Sequence, residues 1–547
     1  MTEYSVLIGG KAGDGISQAG QLIGSLFSSL GYHVCLYVDY PSLIRGGHNF
    51  CIIRAAEKPV TATRSGIDLL LALDQKTADL HSPRLGAQGV IIYDQNRVKA
   101  EGQGLDITGI IEKNGGIPVM GNTAMIGAMS RFFSFPWDRV EQILRKRLVR
   151  QTDTNISIAR DASSRIVPGT GVPEIPGGPR PVLSGNEWIS LGLLAGGIDA
   201  YIAYPMTPSS GILHYLAAVA DTAGIDVIHP ESEIAVIMTA LGFSYAGKRA
   251  AVGTSGGGFC LMTEGLSLAG MAEIPGGIVL SQRTGPSTGL PTYTAQSDLL
   301  FACHAGQGEF PRFIAAPATP AEAFHWSAQA VQIAWKYQIP SLIMADKTLS
   351  EGLFTPETLP EIRAIPPLPA PSIPYERYAD TPDGISPILP LPCAGEISKV
   401  NSYAHDYAGI TTEDPGMVVE MTKKRFRKAE SLLRDLDQEG AVVTGGDRNA
   451  PATIVCWGSP RGVCSEVAET LGLRVVSPVV ISPFPAGQFR QAMDGAGSVI
   501  LVEESSTGQL GRILSCEGYR VDHTILRYDG RPFAVEELLE RVGRCLA

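Results

Sequence analysis

Residues 250–282, AAVGTSGGGFCLMTEGLSLAGMAEIPGGIVLSQ, decide the fold of this chain. A short apolar run leads through a loop of Ser and Gly into a helix-length apolar segment, and GGIVLSQ then follows as a second short run. Two short runs separated by a helix-length segment predict a βαβ unit, because parallel strands need a crossover of about a dozen residues. The stretch therefore predicts a parallel sheet whose glycine-rich loop follows a strand.

The same alternation extends over the rest of the chain. Residues 4–8, 9–15, 16–31 and 33–40 predict a strand, a glycine-rich turn, a helix closed by glycine and a second strand, which form a βαβ unit. Further strands and helices are predicted at 199–205, 227–247, 323–337, 340–346, 453–459, 463–472, 473–481, 498–505 and 536–546. The predicted fold class is α/β, with several domains built on parallel sheets.

Two proline-rich stretches divide the chain. Residues 168–181 contain five prolines and residues 356–392 contain eleven, so neither stretch can continue a helix or a central strand. The segment 421–440 beyond them predicts a helix with one apolar face, formed by Phe426, Ala429, Leu432, Leu433 and Leu436. The predicted organisation is a domain at 1–165, a linker at 166–181, a domain at 182–355, a linker with a helix at 356–450, and a domain at 451–547.

Composition excludes several classes of protein. Lys and Arg total 44 against 55 Asp and Glu, and a net charge of −11 argues against nucleic acid as the main partner. None of the nine cysteines forms a CxxC pair, so we predict no metal or cluster site in this chain and free thiols in a reducing compartment. The first residues lack a signal-peptide pattern and no apolar run reaches 18 residues, which predicts a soluble, cytoplasmic protein without a membrane span.

Two loops of the first domain are candidate binding segments. GGKAGDG at 9–15, with Gly13 and Gly15, lies between a strand and a helix, where it is either a phosphate-binding loop or a tight turn. YPSLIRGGHNF at 40–50 combines Arg45, His48 and Asn49 with two glycines, which is either a functional or a structural loop.

Four loops of the middle domain end successive predicted strands, as the rim of an active site does. Glu233 directly precedes an apolar helical run, so we expect it to be drier than Glu231. Arg283 has the planar fork that suits a carboxylate. The candidate site residues of these loops are Pro205, Thr207, Glu233, Thr254, Ser255, Arg283 and Thr292.

These motifs resemble those of the 2-oxoacid:ferredoxin oxidoreductases. YPMTPSS, PESEIA, TSGGGFCLM and RTGPSTGLPT are similar to the family's YPITPSS, its glutamate motif, TSGPGFSLM and RGGPSTGLPT, in the same order. YPSLIRGGHN is similar to the signature of the family's γ domain, and HDYAGITTEDP followed by KKRFRK to its linker region. The resemblance covers nearly the whole chain and is to an α subunit with a γ-like domain fused at its N-terminus.

The resemblance implies a γ-like domain associated with coenzyme A, a pyrimidine-binding domain for thiamine diphosphate, and a transketolase C-terminal-like domain. Glu233 would hydrogen-bond the aminopyrimidine ring of the cofactor, with Pro205, Thr254 and Ser255 also bordering it. Arg283, Thr292 and Thr207 would hold the carboxylate of the 2-oxoacid. The residues that would contact coenzyme A are Gly13, Gly15, Arg45, His48 and Asn49.

The resemblance also implies partners. A β subunit would supply Mg²⁺ and a 4Fe–4S cluster, ferredoxin would take the electrons, and the assembly would be αβ or (αβ)₂. The implied reaction, of EC class 1.2.7, is CoA-dependent oxidative decarboxylation of a 2-oxoacid, with 2-oxoglutarate favoured, or its reverse.

Departures from the family pattern keep other functions open. Thr284 and Gly257 replace a glycine and a proline of the family, and Tyr293 and Ala295 change the loop assigned to the substrate. The alternatives are an oxidoreductase subunit for indolepyruvate and other aryl 2-oxoacids, one for branched-chain 2-oxoacids, or a non-catalytic assembly subunit.

Overall fold

The computed structural model describes residues 2–42, 47–358, 361–362, 374–389, 391–393 and 395–547. These residues form two compact units. The first comprises 1–184, 351–357 and 533–540, and the second comprises 185–350, 358–532 and 541–547.

The elements of the first third of the chain are mostly short strands and helices of up to fourteen residues. In chain order they are β1 (Glu3–Gly10), α1 (Ile16–Ser29), β2 (His33–Asp39), β3 (Asn49–Ala56), β4 (Ile67–Ala72), α2 (Gln75–His81), β5 (Leu85–Asp94), β6 (Gln103–Leu105), α3 (Ile107–Lys113), α4 (Gly121–Phe132), α5 (Trp137–Arg147), α6 (Thr152–Ser164) and β7 (Leu183–Ser184).

The middle of the chain alternates strands and helices. Its elements are α7 (Gly185–Ala195), β8 (Ala200–Ile202), α8 (Ser210–Ala223), β9 (Asp226–Ile228), α9 (Glu233–Tyr245), β10 (Ala250–Thr254), α10 (Gly256–Met271), β11 (Gly276–Gln282), α11 (Leu299–His304), β12 (Phe313–Ala315), α12 (Pro320–Tyr337), β13 (Pro340–Asp346), α13 (Lys347–Glu351) and β14 (Leu353–Phe354).

The last part of the chain begins with its longest described helix. Its elements are α14 (Pro415–Leu436), β15 (Val442–Gly446), β16 (Ala452–Val455), α15 (Arg461–Leu471), β17 (Arg474–Pro478), β18 (Val480–Ser482), α16 (Ala486–Met493), β19 (Ser498–Glu503), α17 (Gln509–Cys516), β20 (His523–Leu526) and α18 (Val535–Leu546). None of the described helices is both long enough and apolar enough to cross a membrane.

The first unit contains a mixed eight-stranded sheet, in the order β6-β5-β4-β1-β3-β2-β14-β7. The sequence predicted β1, α1 and β2 as one βαβ unit, but β1 and β2 are not neighbours. β3 lies between them and is antiparallel to both. β3 takes this central position because the last six residues of its run NFCIIRAA are buried. This strand begins directly after the loop that contains His48.

The second unit contains a seven-stranded sheet in the order β18-β12-β13-β11-β10-β8-β9. All its neighbouring pairs are parallel except β12 with β18. The strands β11, β10, β8 and β9 are adjacent, so the four predicted loops follow their carboxyl ends at one edge of the sheet. The α/β fold class predicted from the sequence is confirmed.

A five-stranded sheet of the second unit has the order β15-β17-β16-β19-β20 and is parallel except for β15. The single strand predicted at 473–481 is two strands. β17 ends at Pro478, and β18 leaves this sheet to pair with β12 of the seven-stranded sheet. The domain boundaries at 182–355 and 451–547 remain a prediction; β15, at Val442–Gly446, lies in the predicted linker, and β18 belongs to the seven-stranded sheet.

The apolar face predicted for α14 is only partly correct, since Leu432 and Leu436 are buried but are not the whole buried face. Phe426 is 40% exposed, whereas Lys424 and Lys428 of the same helix are buried. Both lysines form ion pairs with Glu273, a buried carboxylate that follows α10, and the distance from Lys424 Nζ to Glu273 Oε2 is 3.0 Å. A buried carboxylate needs a cation, and this requirement turns the basic face of the helix inward.

Candidate active site

Glu233 is placed at the edge of the seven-stranded sheet by the start of α9. The Ser232 side chain caps this helix by accepting a hydrogen bond from the amide of Ala235, at 3.4 Å. Glu233, the first residue of the helix, is 4% exposed, whereas Glu231 is exposed, which is the contrast that the sequence predicted. The Oε1 atom of Glu233 is buried and has no hydrogen-bond partner within the protein.

The glycine-rich loop after β10 brings a helix N-terminus to this carboxylate. Thr254 ends β10 and Ser255 is the N-cap residue of α10; both are fully buried, and the Ser255 hydroxyl is unpartnered. A Cβ atom on Gly258 would lie 2.1 Å from Thr254 Oγ1 and 2.6 Å from Glu233 Oε1. A Cβ atom on Gly257 would meet nothing within 4 Å. Glycine at 258 is therefore what lets Glu233 lie against the first turn of α10.

Arg283 and Thr207 meet in the space beside this turn. Arg283 directly follows β11, and its Nη1 donates to the main-chain carbonyl of Thr207 at 2.8 Å. Burial lowers the pKa of Arg283, an effect that Asp298 opposes. Thr292 is buried, with an unpartnered hydroxyl. Pro205 lies exposed in the loop after β8, and among the described residues no hydrogen bond joins it to Thr207, Arg283 or Thr292.

The loop that carries Arg283 and Thr292 is held by the last part of the chain. The amide of Gln296 donates to the carbonyl of Glu504 at 2.7 Å, and the amide of Glu504 donates to Gln296 Oε1 at 2.8 Å. The amide of Thr294 donates to the carbonyl of Gly530 at 3.0 Å. Gly530 has φ of +83°, and a Cβ atom there would lie 2.9 Å from Tyr293 Cβ. Sequence reasoning missed this support because its partners lie more than 200 residues apart.

Asp298 is a further residue that the sequence did not single out. A Cβ atom on Gly256 would lie 2.5 Å from its Oδ2 atom, so the carboxylate lies against the first residue of α10. Burial raises the pKa of Asp298 to about 6, although Arg283 opposes the shift. An aspartate before an apolar run is typical of a helix N-cap, but this side chain does not cap α11.

The glycine-rich loop of the first unit is closed by hydrogen bonds between Lys11 and Asp14. The amide of Lys11 donates to Asp14 Oδ2 at 3.0 Å. Gly15, with φ of +71°, is the N-cap residue of α1, and a Cβ atom there would lie 2.3 Å from Asn122 Nδ2. Gly13 has φ of +98° and open space around it. These contacts favour the tight-turn interpretation for most of the loop.

His48 is paired with a histidine that the sequence did not indicate. The Nε2 atoms of His48 and His81 lie 2.8 Å apart, and both Nδ1 atoms are buried without a partner. Burial lowers the pKa of His48, and it lowers that of His81 to about 4. Asn49 begins β3 and has a buried, unpartnered Oδ1. Arg45 lies outside the described residues.

Family models match most of the chain. The model described as "Pyruvate flavodoxin/ferredoxin oxidoreductase, thiamine diP-bdg" matches residues 192–424, which contain the candidate site. The model described as "Pyruvate ferredoxin/flavodoxin oxidoreductase" matches residues 5–164. Fold and site thus define an oxidoreductase with a thiamine diphosphate-binding domain.

Individual relatives narrow this class. The 2-oxoacid:ferredoxin oxidoreductase 2 subunit alpha of Aeropyrum pernix is 30% identical, over 100% of this chain and 98% of its own length. The chain belongs to the 2-oxoacid:ferredoxin oxidoreductase family, as its motifs predicted. The 2-oxoglutarate oxidoreductase subunit KorA of Mycobacterium tuberculosis is 30% identical over 68% of this chain and 58% of its own length.

A solved structure matches the whole chain. It is the 2-oxoglutarate:ferredoxin oxidoreductase of Magnetococcus marinus with 2-oxoglutarate, coenzyme A and succinyl-CoA bound. It is 25% identical, has a TM-score of 0.91, and the match covers 100% of both chains.

Proposed function

We propose that this α subunit, with its fused γ-like domain, works with a β subunit in CoA-dependent oxidative decarboxylation. A 2-oxoacid and coenzyme A give an acyl-CoA, CO₂ and a proton, while two electrons pass to ferredoxin. The same site would also catalyse the reverse reaction. The observation that carries the proposal is the buried, unpartnered carboxylate oxygen of Glu233 beside the first turn of α10, on the same sheet edge as Arg283.

The residues of the site fit thiamine diphosphate. Glu233 Oε1, Ser255 Oγ and Thr292 Oγ1 are buried without a protein partner. A buried polar atom left unpaired costs about 1–3 kcal/mol, so these three atoms are available to pair with a bound cofactor or substrate. Glu233, Thr254, Ser255 and Pro205 would border the cofactor. When bound, it supplies a carbon nucleophile for the 2-oxo group and a sink for the electrons released by decarboxylation.

The residues of this chain bind and orient the 2-oxoacid and the cofactor. Arg283 is held by the Thr207 carbonyl, which leaves the rest of its planar guanidinium to bind the substrate carboxylate. The buried hydroxyl of Thr292 offers a further donor on the same loop. Glu233 lies where little water reaches, so a hydrogen bond to its carboxylate is not screened by solvent.

Arg283→Ala is expected to raise KM about 10- to 100-fold for every 2-oxoacid, because a hydrogen bond to a charged group contributes about 1.5–3 kcal/mol. Steady-state kinetics of the reconstituted complex with several 2-oxoacids measures the change. Arg520→Ala, which removes an arginine that is 89% exposed, is the matched control and should leave KM unchanged. If a single substrate were affected, Arg283 would be recognising the substrate side chain instead.

Gly258→Ala is expected to lower activity by about 10²-fold, because the added methyl group displaces Thr254 and Glu233 and misplacement by about 1 Å costs that much. Gly257→Ala adds the same methyl group to the neighbouring residue, where it meets open space, and should retain activity within about twofold. Turnover of the two variants in the same complex makes the comparison. Equal activity in both would contradict the role assigned to the first turn of α10.

Exposed apolar side chains lie on α9 and α10, the two helices that begin at the site. Ile234, Met238 and Tyr245 of α9 are 54%, 45% and 40% exposed, and Leu261 of α10 is 48% exposed. Large apolar side chains grouped on neighbouring helices are typical of a protein interface. We infer that the β subunit covers this surface and supplies Mg²⁺ and the 4Fe–4S cluster, in an αβ or (αβ)₂ assembly that transfers electrons to ferredoxin.

Coenzyme A is proposed to bind in the first unit. The open space at Gly13 and the unpartnered buried atoms of His48 and Asn49 support this placement, with Gly15 shaping the loop and Arg45 completing the candidate set. 

The preferred substrate is proposed to be 2-oxoglutarate. The M. tuberculosis relative and the M. marinus structure, both named for 2-oxoglutarate, support this choice. A panel of 2-oxoglutarate, pyruvate, branched-chain and aryl 2-oxoacids, with reduction of a viologen dye as the readout, tests it on the reconstituted complex. Preference for an aryl or branched-chain acid would favour those alternatives, and no turnover of any 2-oxoacid would favour an assembly subunit.

A further inference from the structure

We propose that Asn186 is a positioning residue for Arg283, on which it acts through the loop after β8. Its side chain fixes the carbonyl of Pro208, and the preceding carbonyl, that of Thr207, accepts the hydrogen bond from Arg283. This inference rests on the proposed function, because it assumes that Arg283 binds the carboxylate of the 2-oxoacid.

The loop after β8 is held at two successive carbonyl groups by side chains from different parts of the chain. Arg283, directly after β11, donates from Nη1 to the carbonyl of Thr207 at 2.8 Å. Asn186, the second residue of α7, donates from Nδ2 to the carbonyl of Pro208 at 2.8 Å. Because the two carbonyls belong to adjacent residues, one cannot move without the other. The position of Arg283 therefore depends on both hydrogen bonds.

The side-chain amide of Asn186 has one orientation and little room to move. A carbonyl can only accept a hydrogen bond, so the group that faces Pro208 must be the NH₂ group. Asn186 is 3% exposed. A Cβ atom on Gly211, the second residue of α8, would lie 2.6 Å from Asn186 Nδ2 and 3.1 Å from Asn186 Cβ. Glycine at 211 is therefore what lets α8 pack against this amide.

The second polar atom of the Asn186 amide argues for a role beyond packing. Its Oδ1 atom is buried and has no hydrogen-bond partner among the described residues. An apolar side chain at this position would also leave one acceptor unpaired, the carbonyl of the buried Pro208, so stability alone does not favour asparagine. What asparagine adds is a fixed position for that carbonyl and for the adjacent Thr207.

The other hydrogen bonds of the loop set its shape more than its place. The amide and the hydroxyl of Ser209 both donate to the carbonyl of Met206, at 2.9 and 2.8 Å, which closes the turn on itself. Thr254 contacts Met206 through the sulfur atom, at 3.9 Å, and sulfur is a weak acceptor. Asn186 therefore supplies a strong hydrogen bond that ties this loop to α7.

The test is Asn186→Ala in the reconstituted complex, with kcat and KM for the preferred 2-oxoacid measured by viologen reduction. We expect KM to rise about 3- to 10-fold, the effect of losing one hydrogen bond between neutral groups, and kcat to stay within about twofold. Asn114→Ala is the matched control. Asn114 also donates from Nδ2 to a main-chain carbonyl, that of Ile110 at 2.9 Å, but it lies at the end of α3 in the first unit and should leave KM unchanged.

A second pair of variants perturbs Asn186 without replacing it. Gly211→Ala places a methyl group against Asn186 Nδ2 and should raise KM by a similar factor. Gly487→Ala adds the same methyl group to the second residue of another helix, α16, where it meets nothing within 4 Å, and should leave KM unchanged. This pair decides the question if Asn186→Ala fails to assemble, because both variants retain the asparagine.

A double-mutant cycle tests whether the effect passes through Arg283. When Arg283→Ala is already present, adding Asn186→Ala should change KM by less than about twofold, because the group that it positions is gone. A purely structural role would give the full effect in both backgrounds, and that result would overturn the inference. An unchanged KM in Asn186→Ala, or in Gly211→Ala where the first variant fails to assemble, would overturn it as well.

Failure of the proposed function would look different. The wild-type complex would then oxidise no 2-oxoacid, or Arg283→Ala alone would leave KM unchanged. Either result would overturn the role proposed for Arg283, and the inference about Asn186 with it.

Discussion

Glu233→Gln is expected to lower kcat for 2-oxoacid oxidation by about 10²–10³-fold, the usual loss when one electrostatic group of a dry site is removed. The amide has nearly the same shape as the carboxylate but carries no charge. Because Glu233 is 4% exposed, water cannot replace the lost interaction. The measurement is turnover of the reconstituted complex at saturating 2-oxoacid and coenzyme A, with size-exclusion chromatography to verify assembly.

Glu231→Gln is the matched control, since Glu231 lies two residues earlier in the same loop and is exposed. It should retain turnover within about twofold, as surface substitutions usually do. Titration of thiamine diphosphate into the apo complex separates two ways of losing activity, a loss of cofactor binding and a loss of catalysis with cofactor bound. Unchanged turnover in Glu233→Gln would remove Glu233 from the mechanism.

The sequence predicted the middle sheet well because its signal is local. Runs such as AAVGT and GGIVLSQ are mostly apolar and buried at every position, as in strands covered on both faces, and glycine-rich loops follow them. The burial of Glu233 was also predictable, since it starts an apolar helix. In the first unit the same reasoning missed β3. This strand begins at Asn49, inside the segment 40–50 that was interpreted as a binding loop because of its polar residues.

The residues that the sequence did not indicate act through distant partners. Glu504 and Gly530 support the substrate loop from more than 200 residues away. The sequence did not indicate Asp298 as a site residue, because an aspartate before an apolar run is usually the N-cap of a helix. The burial of Lys424 and Lys428 on α14 was not predicted, because apolar spacing along a helix cannot reveal a buried carboxylate elsewhere in the chain.

That carboxylate, Glu273, organises a buried charge cluster in the second unit. Glu273, Lys424 and Lys428 are each at most 1% exposed, and Arg377 donates to the Glu273 carbonyl at 2.7 Å. Burial alone would raise the pKa of Glu273, but Lys424 and Lys428 hold it well below its usual range. Burial lowers the pKa of Lys428 to about 7, although Glu273 opposes the shift. Within the described part of the chain, Glu273 is thus the carboxylate that pairs with both buried lysines.

Glu273→Gln is expected to lower the free energy of unfolding by about 3–5 kcal/mol, the usual loss when a buried ion pair loses one partner. The glutamine leaves Lys424 and Lys428 buried without their counter-charge. Urea unfolding of the assembled complex, followed by tryptophan fluorescence, measures the change, with Glu264→Gln as the exposed control on α10.

Replacing the whole cluster, as Glu273→Leu with Lys424→Met and Lys428→Met, should recover most of the loss, because apolar side chains of similar volume need no counter-charge. If Glu273→Gln were as stable as the control, the cluster would not hold α14 through its charges, and packing of Leu432 and Leu436 would have to account for the buried face of the helix.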